Sequence, residues 1–115
     1  MSLSTRVAKN VGQRISNSTW DNDLLAKPLG GVLLGFYGSN KGSDQYIMLF
    51  DSGAAVNNGT APSIHPLFVS GSDNFFMEVP FRGMAFSNGL YIANSTTDTT
   101  LTLGSADCWF TVVML

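Results

Sequence analysis

Met84-Ala85-Phe86-Ser87-Asn88-Gly89-Leu90-Tyr91-Ile92-Ala93 sets two short apolar runs around an Asn-Gly pair. Asn-Gly accepts the positive φ angles of a two-residue β-turn, so this stretch predicts two strands joined as a hairpin. The same grammar extends outward on both sides. From about residue 28 onward, short runs rich in Val, Ile, Leu, Phe and Tyr are separated by clusters of Gly, Asn, Asp and Ser. That is the pattern of an all-β domain. The predicted strands are Leu29–Tyr37, Gln45–Asp51, Ser63–Val69, Asn74–Val79, Gly83–Ser87, Leu90–Ala93, Thr99–Leu103 and Cys108–Leu115, with a further short one at Asp23–Lys27. About eight strands at a spacing of about ten residues fit a single antiparallel β-sandwich. Jelly-roll and immunoglobulin-like orders both satisfy that count.

The turns share a chemistry. Gly42-Ser43-Asp44, Gly71-Ser72-Asp73 and Gly104-Ser105-Ala106-Asp107 each precede an aromatic-rich strand, with glycine supplying unusual φ and Ser or Asp bonding the local backbone. Asn57-Asn58-Gly59-Thr60 marks a longer loop running to Pro62. Pro66 cannot donate to a ladder, which puts its strand at a sheet edge or on a bulge. Gly30, Gly31 and Gly35 lack the Walker lysine and the G-x-G-x-x-G spacing of a phosphate loop, and read instead as sites of a bulge or close backbone approach.

Alternation assigns the faces. Tyr46, Met48 and Phe50 share one side of their strand, opposite Ile47 and Leu49. Phe75, Met77 and Val79 oppose Phe76 and Glu78. Cys108, Phe110, Val112 and Met114 oppose Trp109, Thr111, Val113 and Leu115. Several strands are apolar on both faces, and one sandwich core covers only one of them. In a chain of 115 residues with 12% charged residues, against roughly 25% in soluble domains, the surplus points to self-association or to a larger assembly.

A length of 115 residues predicts one domain, and 44% hydrophobic residues predict that it folds. Residues 1–20 carry no sustained periodicity and are expected to form an extended arm, with the β-sandwich domain over 21–115. Through residue 27, Arg6, Lys9, Arg14 and Lys27 outweigh Asp21 and Asp23, whereas the remainder is acidic and the whole chain carries −2. That sign does not suit nucleic-acid binding. The N-terminal stretch lacks the apolar core of a signal peptide, and no run is long enough to span a bilayer, so no membrane partner is expected. The single cysteine, Cys108, lies within an apolar run and reads as a buried thiol.

Catalytic chemistry finds little support. His65 is the only histidine, and it has no metal-ligand spacing with Cys108. The carboxylates fall mostly in turns. Asp21-Asn22-Asp23 and the Gly-Ser-Asp loops offer oxygen ligands, but no EF-hand loop is present. The expectation is a protein that is not an enzyme, with no cofactor and no metal site.

From Gln45 to the C-terminus, about 60% of the chain, the sequence resembles small β-rich virion proteins of tailed bacteriophages, of the capsid cement or decoration type. The residues carrying this are Tyr46-Ile47-Met48-Leu49-Phe50-Asp51-Ser52, against a Y-I-x-L-x-D-S strand, and Phe86-Ser87-Asn88-Gly89-Leu90-Tyr91-Ile92-Ala93-Asn94-Ser95, against F-S-x-G-I-x-I-x-N-S. The closing Gly104-Ser105-Ala106-Asp107-Cys108-Trp109-Phe110 also fits. Arg82-Gly83-Met84-Ala85 departs, standing where a G-R-R turn is expected.

The resemblance implies a structural virion protein assembled in the host cytoplasm. It would stabilise the shell by binding the major capsid protein and would itself form a homotrimer. An arm carrying Arg6, Lys9, Val11 and Arg14 would contact the capsid, and Phe75, Met77, Trp109, Val113 and Leu115 would form the oligomer seam. Two alternatives stand beside it. One is a neck, tail or fibre-associated module that binds glycans through Trp or Tyr at loop tips. The other is a non-viral β-sandwich binding domain or small enzyme.

Overall fold

The computed structural model describes residues 12–80 and 82–115. Nine strands run through them: β1 (Gln13–Ser16), β2 (Asp23–Lys27), β3 (Gly31–Asn40), β4 (Gln45–Asp51), β5 (Leu67–Val69), β6 (Asp73–Glu78), β7 (Met84–Phe86), β8 (Leu90–Ser95) and β9 (Cys108–Met114). They form two antiparallel sheets packed face to face in a sandwich-like arrangement. The first has the order β1-β9-β3-β6, with β7 pairing on the β6 side of β3, and the second has the order β2-β8-β4-β5.

The alternation in the sequence fills the space between the sheets. Leu33, Phe36, Phe75, Phe86, Phe110, Val112 and Met114 from the first sheet meet Ala26, Ile47, Leu49, Val69, Leu90 and Ile92 from the second. At one end of this interior the filling turns polar. Asn40 of the first sheet accepts a bond from the Gln45 side chain at 3.1 Å and from the Gly42 N–H at 2.9 Å, and donates to the Ser43 carbonyl at 2.7 Å. Asn94 of β8 donates to Gln45 and to the Ser105 carbonyl. Three buried amides therefore join the two sheets where the apolar core stops.

Four expectations change. Asn88-Gly89 does not close a hairpin, because β7 lies in the first sheet and β8 in the second, so the pair turns the chain from one sheet to the other. Asn-Gly specifies the local backbone, not the strand that the chain pairs with next. Here the Asp51 carboxylate accepts both the Asn88 N–H (2.8 Å) and the Gly89 N–H (3.3 Å), and the Ser52 N–H bonds the Gly89 carbonyl (3.1 Å). A Cβ on Gly89 would stand 2.5 Å from the carbonyl oxygens of Lys27 and Ser52, so only glycine fits this corner.

Thr99–Leu103 is a loop, bridged to Ser95 only at Leu103. Hydroxyls just before it take its backbone groups in place of a ladder: Thr97 Oγ1 donates to the Thr100 carbonyl at 2.8 Å, and Ser95 Oγ accepts from the Thr102 N–H at 3.0 Å. Before residue 21, Gln13–Ser16 joins the first sheet against β9, with Ile15 packing on the core. An edge strand this short needs one inward apolar residue, too few to leave a periodic signal.

The fourth change concerns the surplus apolar faces. The middle of the outer face of the second sheet is not open. Met48, Phe50, Tyr91 and Ala93 are buried there beneath Leu101 and Val56, brought in by the loops that follow β8 and β4. The two loops are tied together by reciprocal bonds, Gly59 N–H to the Leu101 carbonyl and Leu101 N–H to the Thr60 carbonyl, both 2.8 Å. Pro66 behaves as expected: β5 begins immediately after it, at the edge of the second sheet.

Candidate functional site

The outer face of the first sheet carries no such cover among the described residues. Register builds it in rows. Arg14, Val113, Gly35 and Glu78 lie across β1, β9, β3 and β6, and the next row is Ser16, Thr111, Tyr37 and Phe76. Beyond it come Trp109, Ser39 and Asn74. Phe76, on the edge strand β6, is 68% exposed, and Tyr37, on the interior strand β3, is 39% exposed.

A hollow of about 260 Å³ opens in this face, walled by Leu34, Tyr37, Phe76, Glu78 and Val113. Its floor is Gly35. The β3–β9 register slips between Leu33 and Gly35, so a bulge puts Leu34 out of step at the rim. A Cβ on Gly35 would lie 2.8 Å from the Met77 carbonyl oxygen, so backbone packing keeps the position bare and the hollow empty of side chain.

Beside the hollow, Trp20 meets Trp109 edge to face at 5.6 Å, and the Lys41 ammonium stands 4.8 Å from the centre of the Trp20 ring. Trp109 Nε1 donates to Ser16 Oγ at 3.1 Å, which fixes the indole on the sheet.

The residues expected to act are only partly brought together. Trp109 and Val113 lie on this face, with Leu115 exposed just past the end of β9. Phe75 and Met77 point the other way, into the sandwich core, so the aromatic that β6 offers outward is Phe76. Arg14 stands beside Val113 on the same face, exposed. Arg6, Lys9 and Val11 lie outside the described residues. Leu34 was not anticipated, and the sequence does not place Tyr37 on this face. Tyr37 sits in a strand whose glycines obscure the alternation, and Leu34 faces outward only because of the bulge.

Other reactive groups are occupied. His65 is exposed, with Nδ1 2.8 Å from the Pro66 carbonyl. The Cys108 thiol is fully buried, and desolvation, assisted by the Asp107 charge, pushes its pKa up to about 12. Burial raises the Tyr91 phenol as well, helped by its 2.6 Å bond to Asp23 and that carboxylate's charge. Comparison with protein-family models, curated proteins and solved structures returns no match for this chain.

Proposed function

We propose that this chain is a structural virion protein of a tailed phage, a jelly-roll cement protein that self-associates, as a homotrimer, and holds the major capsid protein of the shell. Support for the jelly roll comes from strand order. With β7 set aside, eight strands divide into the orders β1-β9-β3-β6 and β2-β8-β4-β5, the arrangement produced when a pair of Greek keys is wound into two sheets. Viral capsid and lectin domains both use that architecture, so the fold is an analogy that does not choose between a shell and a glycan partner.

The observation that carries the choice is where the exposed aromatics sit. Among the described residues, Tyr37, Phe68 and Phe76 are exposed, and all three lie on strands. A flat apolar sheet face suits a protein seam, whereas glycan stacking calls for rings at loop tips. Trp20, in the loop between β1 and β2, is already engaged by Trp109 and Lys41.

The test is the native mass of the full chain and of Phe76→Ser, with co-sedimentation on shells lacking the protein. Three times 12.3 kDa for the full chain, and 12.3 kDa for the variant, are the expected masses. Phe76 is so exposed that its loss should move stability by no more than about 0.5 kcal/mol. A full chain that stays at 12.3 kDa and leaves shells unbound overturns the proposal.

A further inference from the structure

The hollow on the first sheet lies where the described chain begins. A Cβ on Gly12 would stand 2.6 Å from Val113 Cγ1 and 2.8 Å from Leu34 Cδ1, two residues of the hollow's rim. Gly12 therefore rests on the outer face with its backbone against that rim.

We propose that the hollow receives residues 1–11 of the same chain, with Val11 over Gly35 and Lys9 at Glu78. Distance supports it. Val113 and Glu78 are two strand spacings apart, about 10 Å, and three extended residues cover about 10 Å. Lys9 is three residues before Gly12. Charge supports it too, since the segment holds Arg6 and Lys9 and no carboxylate, while Glu78 is the only carboxylate on the wall of the hollow and is exposed. Val11, Val7 and Leu3 provide the apolar side chains that a wall of Leu34, Val113, Tyr37 and Phe76 would bury.

The inference rests on the reading of this face as a contact surface, and does not depend on the identity of the shell. So placed, the segment fills the hollow and leaves Trp109 and the Tyr37–Phe76 row beside it, so that a docking copy meets sheet and segment together.

The experiment uses the full-length chain with Ala8→Cys carrying a nitroxide, the fully buried Cys108 being shielded from the reagent. Enriched, labelled chains are diluted into an excess of unenriched, unlabelled ones. The amide signals of Gly35, Met77 and Glu78 should be lost, and should return when the nitroxide is reduced. Lys9→Glu should restore them, Glu78→Lys should do the same, and the two together should bring the loss back. No loss of signal overturns the proposal. Loss that vanishes on dilution overturns it as well, since the occupant is then a second copy. The native mass of the same sample tests the preceding reading separately: a monomer that keeps the signal loss fails that reading and not this one.

Discussion

Replacing Leu101 by Ala asks whether the outer face of the second sheet is a real core. Leu101 is 1% exposed, although it belongs to a loop, and it packs on Met48, Phe50, Tyr91 and Ala93. Three carbons are removed, worth about 2.4 kcal/mol in transfer at about 0.8 kcal/mol each. An unfilled cavity adds to that, and partial collapse of the loop limits the addition, so a loss of about 3 kcal/mol is expected. For a domain of this size, that is a fall of roughly 12 °C in Tm. Urea unfolding should show a lower midpoint at unchanged slope. Hydrogen exchange should show the amides of Gly59 and Leu101, which tie the two loops, losing protection ahead of β4 and β8. Native mass should not change, because this face is already covered from within. A loss below about 1 kcal/mol, with both amides exchanging as fast in the parent as in the variant, would refute the second core.

Asn40→Ala removes the amide linking Gly42, Ser43 and Gln45 and leaves buried groups without partners, so a loss of about 2–3 kcal/mol is expected in urea unfolding. At the sheet-crossing corner, Asp51→Ala deprives the Asn88 and Gly89 N–H groups of their acceptor and should cost about 1 kcal/mol, whereas Asp51→Asn keeps an oxygen there and should recover most of it. Cys108 predicts an alkaline limit. Its folded pKa, about 12, lies above the usual value near 9, so the unfolded chain releases this proton first as pH rises. The stability it contributes is complete below about pH 9 and is lost toward pH 12. Unfolding midpoints of the parent and of Cys108→Ala, compared from pH 7 to pH 11, should converge above pH 9, and parallel curves would sink the assignment.

Period-two patterning made the sheets legible. Ile47 and Leu49 point into the core and Met48 and Phe50 away from it, as alternation requires, and Phe75 and Phe76 divide in the same way. What patterning could not supply was the cover for each second face. Leu101 lies in a Thr-rich segment whose composition resembles a strand, yet its hydroxyls bond the local backbone and leave Leu101 free to act as an anchor. The corner at Gly89 was misread for a related reason. A two-residue signal fixes dihedral angles, while pairing depends on Asp51, far away in the sequence. At the candidate face, Trp109 and Val113 were visible from β9 alone, but the hollow needs Gly35 and a bulge in β3, and a register slip leaves no trace in composition.

The low charge of the chain takes on a different meaning once the two outer faces are compared. Surplus apolar strand faces suggested an external partner for both sheets, and the second sheet resolves its share within the molecule. Among the described residues, the first sheet keeps Tyr37 and Phe76 exposed on its outer face, whereas the apolar residues exposed on the second sheet, Leu25 and Phe68, stand on its edge strands. The two motifs behind the resemblance to virion proteins lie elsewhere. Asp51-Ser52 closes one motif, Asn88-Gly89 centres the other, and the two meet at the crossing between the sheets, joined by Asp51 to the N–H groups of Asn88 and Gly89 and by Ser52 to the Gly89 carbonyl. Residues that build a crossing specify how the chain folds, and they are not on the face that would touch a partner. Likeness in them can therefore be shared by proteins with different partners. On the proposed reading, specificity would be carried by Tyr37, Phe76, Trp109 and the hollow at Gly35, where substitutions change the outer face of the first sheet and leave the corner intact.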